Sequence, residues 1–203
     1  VRGLGARRSE LETNVLALFP VGGGDDREVL WAPEVEYAVL NGFALEFELP
    51  FEGTELEAYK LAGQVTFGTA FRDRYIHGTQ VIAEYFVDHE QWELTLLYLG
   101  GARLNETWSL LVMVGARTEA GDETGNDTEP LLNVNVFADV GPHLTVGLET
   151  NYAGGLGAGS ELLLMPQVHW EVTDHFMIQG GLGVVRTSEE SDGTAALRVI
   201  YTF

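Results

Sequence analysis

EVEYAVLNGFALEFEL, residues 34–49, alternates strictly on both sides of a turn. Val35, Tyr37 and Val39 share one face of the first arm, with Glu34, Glu36 and Ala38 on the other. Past the turn, Phe43, Leu45, Phe47 and Leu49 share a face, opposite Ala44, Glu46 and Glu48. A period of two over this length predicts two β-strands. A two-residue Asn-Gly turn pairs apolar positions with acidic ones, because a one-residue slip swaps the faces. A three-residue turn, Leu40-Asn41-Gly42 with Gly42 left-handed, puts Val39 opposite Phe43 and keeps both faces pure. It also puts Glu36 opposite Glu46 and Glu34 opposite Glu48. Like charges directly opposite repel, so the acidic face needs water, a cation or basic neighbours. A hairpin that is apolar on one face and acidic on the other implies lipid outside and a wet interior.

The rest of the chain repeats this pattern. Apolar residues alternate with polar ones in Tyr59–Phe67, Val81–Val87, Trp92–Tyr98, Trp108–Val114, Leu132–Val136, Leu144–Leu148, Leu162–Trp170, Phe176–Val184 and Leu197–Phe203. With Leu11–Phe19 and the opening hairpin, the strands number about twelve. Short connections recur on one template, with three turn residues between two outward apolar ones. They are Val39-(LNG)-Phe43, Leu104-(NET)-Trp108, Val140-(GPH)-Leu144 and Val172-(TDH)-Phe176. Residues 71–76 depart from it and read as irregular. The intervening connections are mostly longer, glycine-rich or acidic; the longest spans Glu119–Glu129. Short turns at one end and long loops at the other predict an all-β fold, a transmembrane antiparallel up-and-down barrel. Phe43, Trp108, Trp170 and Phe176 then ring the short-turn rim, and Trp31, Tyr59, Trp92 and Tyr152 the loop rim. Residues 1–10 read as a basic N-terminal tail, with Arg2, Arg7 and Arg8, and 11–203 as a single barrel domain.

Composition agrees. The chain has 203 residues, 45% of them hydrophobic, and no apolar run long enough for a membrane helix. The outward face carries almost no charge within the strands, where Arg or Lys at mid-membrane costs about 2–4 kcal/mol. A soluble sandwich or lipocalin-like barrel turns its apolar face onto a core, but here the other face has too few large apolar groups to fill one. A net charge of −20 argues against nucleic acid. There is no cysteine and hence no disulfide or thiolate site. Val1 is compatible with a processed start.

The last residues, Leu197-Arg198-Val199-Ile200-Tyr201-Thr202-Phe203, resemble the C-terminal signature of bacterial outer-membrane proteins, which ends in Phe after alternating apolar positions. The opening hairpin, EVEYAVLNGFALEFELPF, resembles hairpins of the transporter-like family named after the MetA pathway of phenol degradation. That family's usual turn carries Thr-Asp or Thr-Glu; here Asn41-Gly42 stands in the first hairpin and Thr173-Asp174 in a later one. The resemblance implies a barrel in the bacterial outer membrane for small-molecule passage. Its surroundings would be lipid and lipopolysaccharide, and Phe203 would be its handle for the barrel-assembly machinery. The resemblance brings no catalytic residues.

The candidate lumen residues are Glu34, Glu36, Glu46, Glu48 and Glu84, joined by Glu12, with Lys60, Arg103, Arg117 and Arg198 as the inward basic groups. Rings of Asp and Glu select cations. The same residues also suit an internal salt-bridge network that fills a narrow barrel, and twelve strands lie between filled and open sizes. Both readings stay open: a passive channel for small polar or cationic solutes, and a non-conducting barrel that partners another envelope protein. Arg2, Arg7 and Arg8 are candidates to plug an acidic lumen. The acidic loops at Asp25-Asp26, Asp122–Glu129 and Glu189–Asp192 offer oxygens to Ca²⁺ or Mg²⁺, but lack EF-hand spacing, and no metal site or cofactor is expected. The glycines of 154–159 lack the strand-to-helix setting of a nucleotide loop. The histidines lie on separate elements. A lipid-modifying enzyme needs a Ser–His pair, and neither Ser109 nor Ser160 has an evident histidine partner, so no enzyme is expected.

Overall fold

The computed structural model describes residues 4–22, 27–120, 128–154 and 159–203. Every regular element among them is a strand. In chain order these are β1 (Leu11–Val21), β2 (Leu30–Leu40), β3 (Phe43–Glu48), β4 (Phe51–Glu52), β5 (Glu55–Leu56), β6 (Ala58–Ala70) and β7 (Tyr75–Phe86). There follow β8 (Gln91–Arg103), β9 (Trp108–Ala120), β10 (Thr128–Asp139), β11 (Leu144–Ala153), β12 (Glu161–Thr173), β13 (Phe176–Arg186) and β14 (Ser191–Thr202).

Each long strand pairs antiparallel with its sequence neighbours, and β1 pairs with both β2 and β14. This closes a twelve-stranded barrel, to which β4 and β5 add a small hairpin above β2 at the loop rim. Closure leaves the barrel itself no free edge, as a bilayer span requires. The seam runs from Glu12 opposite Thr202 to Val21 opposite Gly193.

The side-chain alternation is the reverse of a soluble protein's. Leu61, Phe67, Val81, Leu96 and Leu182 are each half or more exposed, and 62% of Leu182 is open. Glu12, Asn14, Thr95, Asn135 and Gln179 are buried. On β8 the lipid-facing Trp92, Leu94, Leu96 and Tyr98 alternate with the shielded Thr95, Leu97 and Leu99. An apolar surface wrapped around a polar interior is the transmembrane-barrel arrangement. Trp108 and Trp170 stand exposed at the short-turn rim, and Tyr59 and Trp92 at the loop rim. Trp31 stacks on Phe51 at 4.4 Å, and its indole N–H donates to the Gly53 carbonyl.

The opening hairpin has Glu36 opposite Glu46 and Glu34 opposite Glu48, with Gly42 at φ +75°. The bulge is read one position differently from the sequence expectation. Phe43 pairs with Leu40, and the extra residue is absorbed between Ala38 and Leu40. Pro33 sits within β2, opposite Val15, and Pro50 lies between β3 and β4.

Other boundaries move as well. Residues 71–76 are not wholly irregular: β6 runs to Ala70 and β7 begins at Tyr75, joined by a turn in which Phe71, Arg72 and Asp73 all have positive φ. Without glycine there, no sequence signal marks that turn. Glu129 belongs to β10, opposite Arg117, and Asp192 to β14, opposite Val185, because the strands extend into what read as loop.

Candidate functional site

The inner wall has a densely charged half and a sparsely charged half. β1, β2, β3, β6, β7 and β8 contribute Glu12, Glu36, Glu46, Glu34, Glu48, Lys60, Glu84 and Glu93 at alternating positions. β10 to β13 contribute mainly uncharged side chains at the corresponding positions, Asn133, Asn135, Phe137, Asn151, Met165, Gln167 and Gln179, with Glu149 between Asn135 and Met165 and bonded by Asn151. The cause is local: each strand keeps one face for lipid, so the other face is free to differ from strand to strand.

The sequence-predicted residues form three separate groups. At the seam, Arg198 Nη2 donates to Glu34 Oε2 at 3.1 Å and its Nε to Asn14 Oδ1 at 2.9 Å. Asn14 Nδ2 in turn donates to Glu34 Oε1 at 2.9 Å. This closed triangle joins β14, β1 and β2, and the Glu34 side chain is only 10% exposed. Next to it, Lys60 Nζ donates to Glu48 Oε1 at 3.0 Å, with Glu84 directly opposite Lys60. Gln80 Nε2 donates to both oxygens of Glu46, at 3.0 and 2.9 Å. Glu46 is thus held by a neutral amide. At the loop end of the lumen, Arg117 pairs with Glu129 and lies 3.8 Å from Glu93.

Arg103 stands apart from these groups. It lies at the end of β8 by the short-turn rim, 2.6 Å from Asp139, and also donates to the Glu106 carbonyl. It is a mouth residue, separated along β8 from the mid-barrel carboxylates.

Sequence reading missed Asn14, Gln80, Glu93 and Leu4. The first three lie on the inward phase of their strands, and that phase was the available signal. Leu4 carried none. The basic segment folds back over the short-turn rim: Ser9 N–H donates to the Ala38 carbonyl at 2.8 Å, and Ala38 N–H to Glu10 at 2.9 Å. Gly42 N–H donates to the Ala6 carbonyl and Arg8 N–H to the Asn41 side chain, both at 2.9 Å. From there Leu4 enters the barrel and is 8% exposed, packed on Leu97 and Leu99 with Ile76, Ile82, Met113 and Leu131 around it. The inserted residue is therefore the leucine. Arg7 and Arg8 remain exposed, and Arg2 lies outside the described residues.

Gly78 makes room for this contact. A Cβ there would lie 2.7 Å from Leu4 Cδ2 and would also collide with the Val65 carbonyl.

Among the described residues, no group of three or more His, Asp or Glu is placed to hold a metal ion. Asp25-Asp26 and 122–127 lie outside the described residues, as do 155–158 of the glycine-rich loop. Asp192 is 3.4 Å from Arg27. At the loop rim, Glu28, Glu52, Glu55, Glu57 and Asp88 border one cleft.

No family model matches this sequence, and no curated protein matches it. Similarity to the phenol-pathway family therefore rests on the hairpin residues alone. Solved structures do match. The chain superposes on the NanC porin with a TM-score of 0.76 at 9% identity, covering 93% of this chain and 98% of that one. The KdgM porin in complex with disordered oligogalacturonate gives 0.74 at 12% identity, covering 95% and 99%. The Acinetobacter baumannii outer membrane protein Omp33 gives 0.58 at 11% identity, covering 96% and 98%. At these identities the likeness is one of fold: a porin-like transmembrane β-barrel over nearly the whole chain.

Proposed function

We propose that this chain is a bacterial outer-membrane diffusion channel for small polar or cationic solutes, with selectivity set by the carboxylates of its charged half-wall. The observation that carries this reading is the excess of glutamates there over basic partners. Arg198 and Lys60 each hold a carboxylate, while Glu46 is met by an amide. A carboxylate met by an amide instead of a fixed cation is left for a passing cation to pair with, as in the acidic rings of cation channels. The porin-like fold supports both the location and the class, since its solved neighbours are porins and outer-membrane proteins.

The side-chain networks and the inserted Leu4 favour a narrow lumen and a low conductance. They also keep in view the second reading, a closed barrel serving as a structural partner. Phe203, 66% exposed at the barrel's edge, is our proposed contact for the assembly machinery. Single-channel current in planar bilayers tests the reading. Under a salt gradient, the reversal potential should show cation preference. A purified, folded barrel that carries no current points to the structural role. We assign no catalytic role to any residue.

A further inference from the structure

We propose that the apolar seat occupied by Leu4 is a solute subsite inside the lumen, and that the preferred permeants are amphipathic organic cations that displace Leu4 from it. The inference rests on the channel reading and names its solute class.

The seat is an apolar patch on a largely polar wall. Leu97 and Leu99 belong to the inner wall because they alternate with the exposed Leu96 and Tyr98. An unfilled patch of this kind facing water is unfavourable, and the chain fills it with one leucine from outside the barrel strands. Leu4 is held there by few constraints. Its own segment is fastened through Ala6, Arg8 and Ser9 at the rim, and Gly5, with φ +104°, lies between that anchorage and the leucine. A side chain tethered by a glycine can leave its seat while the rim hydrogen bonds stay in place.

The neighbours of the seat specify the rest of the ligand. Ile82, which packs on the seat, is opposite Ala62, and Ala62 is opposite Glu46. Two strand spacings separate Ile82 from Glu46, about 10 Å. Gln80, whose amide holds Glu46, is opposite Leu97 of the seat itself. Carboxylate and apolar patch thus lie side by side on one wall. A molecule with an ammonium group and an aliphatic or aryl arm satisfies both at once, and a small inorganic cation satisfies only the first.

The experiment is current block by methylammonium, benzylammonium and hexylammonium, comparing the wild-type chain with Leu4→Ser and with Leu97→Ser. Benzyl- and hexylammonium should block the wild type more strongly than methylammonium. Leu4→Ser should strengthen their block about tenfold and leave that of methylammonium unchanged. Leu97→Ser, which damages the seat, should remove the preference for the apolar arm. Block that does not depend on the arm, or is indifferent to Leu4, overturns the subsite while potassium current leaves the channel intact. If no variant carries potassium current, the channel reading fails. The seat is then judged by calorimetric titration of benzylammonium into the barrel in amphipol: tighter binding by Leu4→Ser sustains it, and equal binding overturns it.

Discussion

Arg198 and Glu34 are 164 residues apart in sequence and meet at 3.1 Å across the seam where the barrel closes. Asn14, between them on β1, bonds to both. The last strand is therefore joined to the second through the first by side chains as well as by backbone. Arg198→Met removes two donors and leaves Glu34 shielded between the Asn14 amide and the opposing Glu48. Charge-assisted hydrogen bonds of this kind contribute about 1.5–3 kcal/mol. We expect Arg198→Met to lower the urea midpoint of unfolding from lipid vesicles by a matching amount. The Arg198→Met, Glu34→Met double variant should recover part of the loss, because no carboxylate is then stranded. A single variant as stable as the parent removes the seam's role.

Glu46 and Glu48 differ in their partners, so their removal should differ in effect. A unit charge at about 7 Å in water is worth about 0.6 kcal/mol, roughly threefold in local ion concentration. Glu46→Gln should therefore lower the cation-to-anion permeability ratio by up to about sevenfold, because cation and anion concentrations each move about threefold in opposite directions, with little change in stability. Glu48→Gln also frees the Lys60 ammonium and should lower the ratio further. Reversal potentials under a salt gradient measure both. An unchanged ratio in the double variant excludes these carboxylates from selectivity.

Much of this architecture is legible in the sequence, and the physical reason is the environment. A strand with lipid on one side and water on the other must alternate, so β2, β3 and β8 announce both their extent and their facing. The glutamate pairs of the first hairpin are legible because a short turn fixes register, with Gly42 supplying the left-handed residue. The Arg198–Asn14–Glu34 triangle is not, because no turn sets the register between the first and last strands. β4 and β5, two residues each, are too short to show a period. The Ala70–Tyr75 turn uses Phe71, Arg72 and Asp73 where glycine would be the expected marker. Leu4 lies across the wall instead of within it, so no periodicity applies to it.

The loop rim carries the expected pH response. Burial, then the neighbouring Glu52, then Asp88 hold the Glu57 carboxyl above the usual glutamate range. A carboxyl with a raised pKa in the folded state favours folding while it is protonated, and that contribution is lost as pH rises through the raised value. The β4–β5 hairpin should therefore loosen as pH rises from the ordinary glutamate range towards that raised value, the opposite of ordinary acid unfolding. Hydrogen exchange of residues 51–57, corrected for intrinsic rates, should show protection falling over that range. Glu57→Gln should flatten the response. A response that persists in that variant would assign it to another member of the acidic cleft.

Removing residues 1–8 tests the inserted segment without touching a barrel strand. The deletion keeps the Ser9 and Glu10 backbone bonds to Ala38, so the start of β1 stays anchored. It loses the burial of Leu4, worth about 1.5–3 kcal/mol for a leucine side chain. That loss is small beside a closed sheet of twelve strands, and folding into vesicles should survive it. Potassium conductance should rise, because the truncated barrel retains its carboxylates and loses the leucine that enters the lumen. Cation preference should stay, since Glu34, Glu46 and Glu48 are untouched. A truncated barrel that folds with unchanged conductance would mean that Leu4 lies beside the ion path and does not narrow it. The apolar wall of Leu97 and Leu99 would then be stabilising filler, and selectivity would rest on the glutamates alone.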